Sequence, residues 1–331
     1  MMKKTITRLF ALILNLTMMN LASTTASAET NPEDNVFVLS FFRDNGQHGV
    51  YLAWSEDGLH FKSLNNDQPV MRPATWPDQN LTRDPSIIFH DGKFRMVWTS
   101  NWTGRCFGVA ESPDLKEWSE PKQVWPFPKS LPDEKQPKNV WAPEICWNPI
   151  TKEYFIFWSS TVAGQDGHRI HLTRSPDLES FSDPEIFIDP GYNSIDGMMV
   201  LDQQGSESQE DWRWIMVFKD EREIAQGGKN IRLTTAPADL SKPWAGDAPP
   251  IVGPHSDVRP NEMGEGASIV KWNDTWYLYW DAFNNGHYCL ATSKDLKTWT
   301  DRTEELRMPP HHPRHGTVFI VPRSAIAESL F

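Results

Sequence analysis

Leu290-Ala-Thr-Ser-Lys-Asp-Leu-Lys-Thr-Trp299 is one of five similar segments in this 331-residue chain. Each copy has an apolar stretch, a short turn built around an aspartate, and an aromatic residue shortly afterwards. The turn aspartates are Asp57, Asp114, Asp177, Asp239 and Asp295, which are 57, 63, 62 and 56 residues apart. A period of about sixty residues is too long for one strand or helix, and it fits a four-stranded sheet with its loops.

A second repeat runs out of phase with the first and consists of a strand, a tight turn and an aromatic strand. Ile87–Trp98 shows it with the hairpin turn Asp91-Gly92, and Ile269–Trp280 shows it again. The fifth copy is divided between the two ends of the chain, at Phe37–Phe42 and His315–Pro322. The sequence therefore predicts an all-β, five-bladed β-propeller. We expect the N-terminal strands to pair with the C-terminal strand, because closing the ring removes exposed sheet edges.

The composition excludes several classes of protein. Hydrophobic residues make up 39% and charged residues 23%, which is typical of a folded globular chain. The net charge of −12 argues against binding to nucleic acid or to an anionic membrane surface. The three cysteines, Cys106, Cys146 and Cys289, form no CxxC motif and are interpreted as small apolar residues.

Residues 1–28 have the pattern of a secretory signal peptide. Lys3, Lys4 and Arg8 precede a mostly apolar stretch, and Ala26-Ser27-Ala28 forms a cleavage site. The alternative is an uncleaved membrane anchor. Residues 29–331 are then predicted to form a single propeller domain, exported to the periplasm or secreted, with no membrane attachment after cleavage.

Polar residues precede the strand that begins each predicted blade. Four are acids and one is a histidine: Asp84, Glu144, Asp196, Glu265 and His315. In a propeller these positions converge on the central axis. Carboxyl groups gathered in a cleft raise one another's pKa, which lets one of them act as a general acid near neutral pH. Each of these residues taken alone is more typical of a turn or cap.

The motifs Asp84-Pro-Ser-Ile, Trp141-Ala-Pro, Ile195-Asp, Glu265-Gly and His315-Gly-Thr-Val, in this order, resemble those of glycoside hydrolase family 43. The resemblance covers about residues 36–323 and is strongest to the arabinofuranosidase-like branch. It implies that Asp84 is the general base, that Glu265 is the general acid, and that Asp196 tunes the pKa of that acid and positions it. It also implies hydrolysis with inversion of the anomeric configuration, which needs room for a water molecule between base and acid.

Five further roles are predicted near this set. Arg83, Trp102, Trp141, Glu144 and His315 are candidate substrate-binding residues, with the two tryptophans stacking on sugar faces. Packing between blades is the alternative for the tryptophans, and a buried core imidazole is the alternative for His315. The resemblance also makes His315 a candidate contact of a calcium ion in the central channel, although the predicted chemistry requires no cofactor.

The predicted function is that of an exported inverting glycoside hydrolase. We expect an α-L-arabinofuranosidase that acts on arabinose-containing polysaccharide or oligosaccharide of plant or microbial origin. The alternatives are a β-xylosidase or a galactan-active glycosidase of the same fold, and a non-catalytic sugar-binding propeller. A purely structural propeller does not explain why the acids converge.

Overall fold

The computed structural model describes residues 34–161, 163–164, 167–246 and 248–331, so the predicted signal peptide lies outside the described residues. Within them, twenty strands form five antiparallel sheets of four strands each. Seven short 3₁₀ turns lie between or after the strands: Asn65–Asp67, Asp133–Lys135, Gln209–Asp211, Ile224–Gln226, Thr303–Glu305, Arg323–Ala325 and Glu328–Leu330. None of the helical segments in this part of the chain is long and apolar enough to cross a membrane.

Each sheet is one blade, and its strands run in order from the inside of the ring to the outside. The first blade contains β20 (Arg314–Pro322), β1 (Asn35–Phe42), β2 (Tyr51–Ser55) and β3 (Lys62–Ser63). The second contains β4 (Arg83–His90), β5 (Lys93–Thr99), β6 (Phe107–Ser112) and β7 (Lys122–Val124). The third contains β8 (Trp141–Asn148), β9 (Glu153–Thr161), β10 (His168–Ser175) and β11 (Glu185–Ile188).

The last two blades follow the same plan. The fourth contains β12 (Ser194–Asp202), β13 (Arg213–Asp220), β14 (Asn230–Pro237) and β15 (Pro250–Val252). The fifth contains β16 (Glu265–Trp272), β17 (Thr275–Ala282), β18 (His287–Ser293) and β19 (Thr300–Asp301). The innermost strands β20, β4, β8, β12 and β16 pack against one another around the axis.

Pairing between the two ends of the chain closes the ring, as predicted. β1 pairs antiparallel with β20 on one side, from Asn35 opposite Pro322 to Ser40 opposite Thr317, and with β2 on the other. The C-terminal strand is thus the inner strand of a blade whose other three strands come from the N-terminal region. The predicted five-bladed propeller with this closure is confirmed.

The repeated aspartate turn connects the third strand of a blade to the fourth. In the fifth blade, Asp295 Oδ1 accepts hydrogen bonds from the backbone N–H groups of Lys297 and Thr298, at 2.9 and 2.8 Å. Ser293 Oγ accepts one from Leu296, whose φ of 62° is left-handed. These side-chain acceptors stabilise the turn and offset the conformational energy that a leucine in the left-handed region costs. The same pattern recurs at Asp57, Asp114 and Asp177.

The core is divided into five hydrophobic clusters, and each lies between two neighbouring blades. Each cluster contains one large aromatic residue from the C-terminal half of the second strand of a blade. These residues, all less than 2% exposed, are Phe41, Trp98, Trp158, Phe218 and Trp280. Because aromatic side chains bury large areas, this ring of five is a main source of packing energy between blades. The residue that follows each of them on the strand lies beside the axis.

We predict that Gly316→Ala weakens the closure of the ring. A Cβ at this position in β20 would lie 2.1 Å from the backbone oxygen of Ser40 in β1. Since backbone atoms cannot move aside as a side chain can, we expect a loss of about 2 kcal/mol or more in the free energy of unfolding, measured by urea titration. Gly246→Ala is the matched control, because a Cβ there meets nothing within 4 Å. Equal losses in both variants would contradict the prediction.

Candidate active site

Each innermost strand contains one residue with a left-handed backbone near its start. Register shifts mark this position in all five blades, so each forms a β-bulge. The residues and their φ values are Asp84 (50°), Ala142 (45°), Asp196 (55°), Gly266 (57°) and His315 (23°). Four of the five have a side chain, and such conformations cost about 1–3 kcal/mol each unless the surroundings hold them. A bulge turns its side chain toward the axis, so these positions form one ring.

The preceding blade holds four of these bulges through hydrogen bonds to their backbone N–H groups. The N–H of Ala142 donates to Thr99 Oγ1 at 2.7 Å, and that of Asp196 donates to Ser159 Oγ at 3.0 Å. The N–H of His315 donates to Asp281 Oδ2 at 3.3 Å. The N–H of Gly266 donates to Oδ2 of Asp196 itself, at 3.2 Å. At these four boundaries, side-chain oxygens of one blade therefore fix the backbone of the next.

Asp84 and Asp196 lie on either side of the imidazole of His315. Nδ1 of His315 is 3.3 Å from Asp84 Oδ1 and 3.9 Å from Asp196 Oδ2. The hydroxyl of Thr99 donates to the other oxygen of Asp84 at 2.7 Å. All three residues around the ring nitrogen are buried. The two carboxylates are therefore no farther apart than the sum of their distances to Nδ1.

Two cations hold the carboxylate of Glu265. Nζ of Lys219 lies 3.2 Å from Oε2, and Nη2 of Arg314 lies 3.0 Å from Oε1. Arg314 also contacts Asp281, with Nε 2.7 Å from Oδ2. The side chain of Lys219 is 3% exposed and that of Glu265 is 17% exposed, so the glutamate is the member of this pair that reaches the opening.

The surroundings of Asp196 and His315 raise the pKa values of both residues. Burial raises the pKa of Asp196 to about 6, with the charges of Glu265 and Asp84 adding to the effect and those of His315 and Lys219 opposing it. Burial alone would lower the pKa of His315, but the surrounding carboxylates of Asp196, Asp84, Glu265 and Glu144 outweigh it and raise that pKa. The imidazolium is thus the cation at the centre of the acidic ring.

Glu144 lies farther along its strand, relative to the bulge, than the other acids do. It comes two residues after the bulge at Ala142, and Glu265 comes one residue before the bulge at Gly266, so these acids are not in equivalent positions. Glu144 Oε2 accepts from Ser86 Oγ at 2.6 Å, and Oε1 accepts from Thr317 Oγ1 at 2.7 Å. Burial raises its pKa to about 7, with these two hydrogen bonds opposing the shift. Glu144 is a buried channel residue whose oxygens are already engaged, and not a rim residue.

A cavity of about 390 Å³ occupies the other end of the channel. Its walls are mostly apolar, and Glu144 and Thr317 mark its polar end. Asp84, Asp196 and Glu265 do not line it, because they lie nearer the start of their strands. This cavity and the converging acids are therefore at opposite ends of the channel, with Glu144 between them.

His315 stays a candidate contact of a calcium ion in the central channel, and several carboxylate oxygens near it are already engaged in hydrogen bonds. Calcium takes six to eight oxygen ligands, whereas Glu144 uses both oxygens to accept from Ser86 and Thr317, and Asp84 uses one to accept from Thr99. In the described residues, His, Cys, Asp and Glu donors converge closely enough for a metal at another place, not here.

The predicted aromatic residues lie together on the rim beside Asp84. The guanidinium of Arg83 stacks on Trp102 at 4.0 Å and donates to Asn45 Oδ1 at 3.1 Å. Nε1 of Trp141 donates to the backbone oxygen of Trp102 at 2.7 Å, and its ring stacks on His168 with the centroids 4.7 Å apart. Trp102 is 48% exposed, which leaves a ring face available to a ligand.

Sequence reasoning missed the groups that hold the acids. Lys219 and Asp281 lie one residue before the ends of the second strands of their blades, directly after the buried aromatics Phe218 and Trp280. Thr99 and Ser159 likewise directly follow the buried aromatics of the second and third blades. The sequence does contain a signal for these groups: in four blades, a polar residue directly follows the buried aromatic of the second strand.

We predict that Glu144→Gln changes how stability depends on pH. The folded pKa of about 7 lies above the ordinary value of 4.5, so the folded state keeps its proton longer than the unfolded state. Stability contributed by this group is therefore lost as pH rises from about 4.5 to about 7, by about 3 kcal/mol in total. A glutamine cannot ionise, so the unfolding free energy of the variant relative to wild type should rise by up to that amount across this range.

Urea titrations between pH 4 and pH 8 measure this difference. Glu153→Gln, on the neighbouring strand β9, is the control and should follow the wild-type slope. Parallel curves for Glu144→Gln and wild type would show that the buried carboxyl does not titrate as proposed.

Comparisons with known proteins agree with this fold. A profile of the family described as "Probable glycosyl hydrolase domain", related to glycoside hydrolase family 43, matches residues 34–326. Extracellular endo-α-(1→5)-L-arabinanase 1 of Bacillus subtilis (strain 168) is 25% identical over 166 residues, which are 47% of this chain and 51% of that protein. The chain thus spans about half the length of this curated relative.

Two solved structures share the architecture. A thermostable family-43 glycoside hydrolase matches with a TM-score of 0.52 at 22% identity, over 66% of this chain and 71% of that one. The native arabinanase of Bacillus subtilis matches with a TM-score of 0.50 at 20% identity, over 67% of this chain and 75% of that one. At these identities the likeness shows the fold. With the family profile spanning nearly all described residues, the chain belongs to this family of probable glycosyl hydrolase domains related to glycoside hydrolase family 43.

Proposed function

We propose that the protein is an exported, inverting α-L-arabinofuranosidase that acts on arabinose-containing polysaccharide or oligosaccharide. The observation that carries the proposal is the arrangement of Asp84, Asp196 and Glu265 around His315 at one end of the channel. Two carboxyl groups on opposite sides of a bound sugar can supply the base and the acid of a single displacement at the anomeric carbon.

Asp84 is the proposed general base. Its Oδ2 accepts from Thr99, and its Oδ1 faces Nδ1 of His315 at 3.3 Å. These contacts orient the carboxylate, and the neighbouring imidazolium stabilises its negative charge. In this form it takes a proton from the attacking water as the water oxygen bonds to the anomeric carbon.

Asp196 and Glu265 together supply the proton for the leaving oxygen. The charge of Glu265 contributes to the raised pKa of Asp196, so the two carboxyls influence each other electrostatically. The N–H of Gly266 donates to Asp196, which ties the position of Asp196 to the residue next to Glu265. Glu265, at the opening, is the member that delivers the proton, while Asp196 tunes and positions it.

The choice of sugar rests on the relatives and on the rim. The curated relative and one structural neighbour are arabinanases by name, and this chain shares only part of their length. Trp102, with Arg83 stacked on it, offers an aromatic face on which a sugar ring can pack beside Asp84. Substrate-binding roles for Trp141 and His315 are part of the same proposal, with His315 acting through Asp84 and Asp196.

Export is also proposed. It rests on the signal-peptide pattern of residues 1–28 and on the extracellular location in the name of the curated relative. A β-xylosidase or a galactan-active enzyme would use the same acids with a differently shaped rim. A non-catalytic sugar-binding propeller would bind without turnover.

We predict that Asp84→Asn and Glu265→Gln each lower the hydrolysis of arabino-oligosaccharides by about 10²–10⁴-fold. The two variants should differ on nitrophenyl α-L-arabinofuranoside, whose leaving group needs little protonation. Glu265→Gln should regain much of its rate there, whereas Asp84→Asn should not, because activation of water is still required. Steady-state kinetics on both substrates measures this.

Glu117→Gln, an exposed change in an outer turn, is the control and should keep the wild-type rates. Unaltered rates in Asp84→Asn or in Glu265→Gln would rule out the assigned role of that residue. Wild-type turnover of β-xyloside or galactan in place of the arabinose substrates would retain the mechanism and replace the sugar. Sugar binding with no turnover of any of these would favour the non-catalytic alternative.

We predict that Lys219→Met moves the alkaline limb of the pH–rate profile to higher pH. The positive charge of Lys219 lowers the pKa of Asp196, so removing it should raise that pKa and leave Asp196 protonated to higher pH. The shift should be about one pH unit. Lys229→Met is the matched control, because Nζ of Lys229 contacts Glu221 at 2.9 Å and not Glu265. An alkaline limb that stays in place, or moves to lower pH, would contradict the proposed role of Asp196 in tuning the acid.

A further inference from the structure

Three potential metal ligands of different chemistry meet outside the proposed active site. Oε2 of Glu262 lies 3.1 Å from Nε2 of His287 and 3.2 Å from Sγ of Cys289. All three donor atoms lie within 4.8 Å of one another. Edges of a tetrahedral site with metal–ligand bonds of about 2.0–2.3 Å are of similar length.

The strand geometry explains why two of these donors face the same side. His287 and Cys289 are residues i and i+2 of β18, and alternate residues of a strand point to the same face of the sheet. Glu262 reaches them from the loop that precedes β16. A His-x-Cys pair on one strand and a carboxylate from a neighbouring loop together form a three-ligand set.

A second interaction orients the carboxylate. Nη1 of Arg259 contacts Oε1 of Glu262 at 2.9 Å, which leaves Oε2 directed at the histidine and the cysteine. Arg259 also contacts Asp301 at 2.8 Å and Glu304 at 3.0 Å. One guanidinium is thus shared by three carboxylates, so this surface carries excess negative charge that a divalent cation would neutralise. Outer contacts of this kind hold the ligands of metal sites in place.

His287 reaches the surface, whereas Cys289 is buried behind it. The side chain of His287 is 40% exposed and that of Glu262 is 14% exposed. A cavity of about 430 Å³ lies beside them, lined in part by Arg259, His287 and Thr303. An ion entering from this cavity would keep one open position for water.

We propose that Glu262, His287 and Cys289 form a binding site for a single zinc-like divalent cation, with water as the fourth ligand. The mixed nitrogen, sulfur and oxygen set suits zinc, whereas calcium and magnesium prefer oxygen alone. The sequence analysis interpreted Cys289 as a small apolar residue, because its partners are two residues away and 27 residues away and form no familiar motif. The ion-free contacts are those of a carboxylate that accepts from an imidazole and a thiol, and metal binding would release the thiol proton.

Calorimetric titration of the chelator-treated protein with Zn²⁺ tests the site, together with the absorption spectrum after addition of Co²⁺. We expect one equivalent of Zn²⁺ and a thiolate-to-cobalt charge-transfer band. Cys289→Ser should abolish the band, and both Cys289→Ser and His287→Ala should weaken Zn²⁺ binding by about 100-fold or more. Cys106→Ser, which changes another buried free thiol, is the control and should retain both signals.

The absorption spectrum of the wild-type protein with Co²⁺ tests the site even if a variant fails to fold. Absence of saturable Zn²⁺ binding in wild type would overturn the proposal. So would Co²⁺ binding without a thiolate band, or full binding by folded Cys289→Ser.

Discussion

The site depends on backbone N–H groups that lie in left-handed bulges and need acceptors. Thr99, Ser159, Asp196 and Asp281 supply these acceptors across the boundary between blades. An unpartnered buried N–H would cost about 1–3 kcal/mol, and the strained φ angles would add to it. At four of the five boundaries, one blade therefore holds the bulge of the next. Asp196 both accepts such a bond and belongs to the proposed catalytic set, so the packing of the ring and the placement of the acids are one constraint.

The same ring sets the electrostatics. Buried carboxylates close together would not all ionise unless cations stood among them. Here the imidazolium of His315 lies between Asp84 and Asp196, and Lys219 and Arg314 hold Glu265. Asp196 remains the group whose pKa, about 6, is close to the mildly acidic range. The surroundings thus differ among the acids: Asp84 lies next to the imidazolium, Glu265 is held by two cations, and Asp196 is the one whose pKa burial raises.

The sequence predicted the blades well because strands and turns are local features. The aspartate turns and the split fifth repeat identified five sheets and the closure of β1 on β20. The sequence predicted less of the site, because the position of a side chain along the channel depends on where the bulge lies in its strand. Alignment of acids by type grouped Glu144 with the other four converging residues, whereas it follows the bulge at Ala142 by two residues. The cations around Glu265 come from other strands, and no spacing in the sequence indicates that Lys219 and Arg314 meet there.

The central claim is that acids from different blades flank one bound sugar and act in a single displacement. The most direct measurement is the anomeric configuration of the first sugar released, followed by proton NMR before mutarotation. Inversion is the expected result, because Asp84 activates water on the face opposite the leaving oxygen. A first product with retained configuration would require a covalent intermediate and would contradict this account of the site.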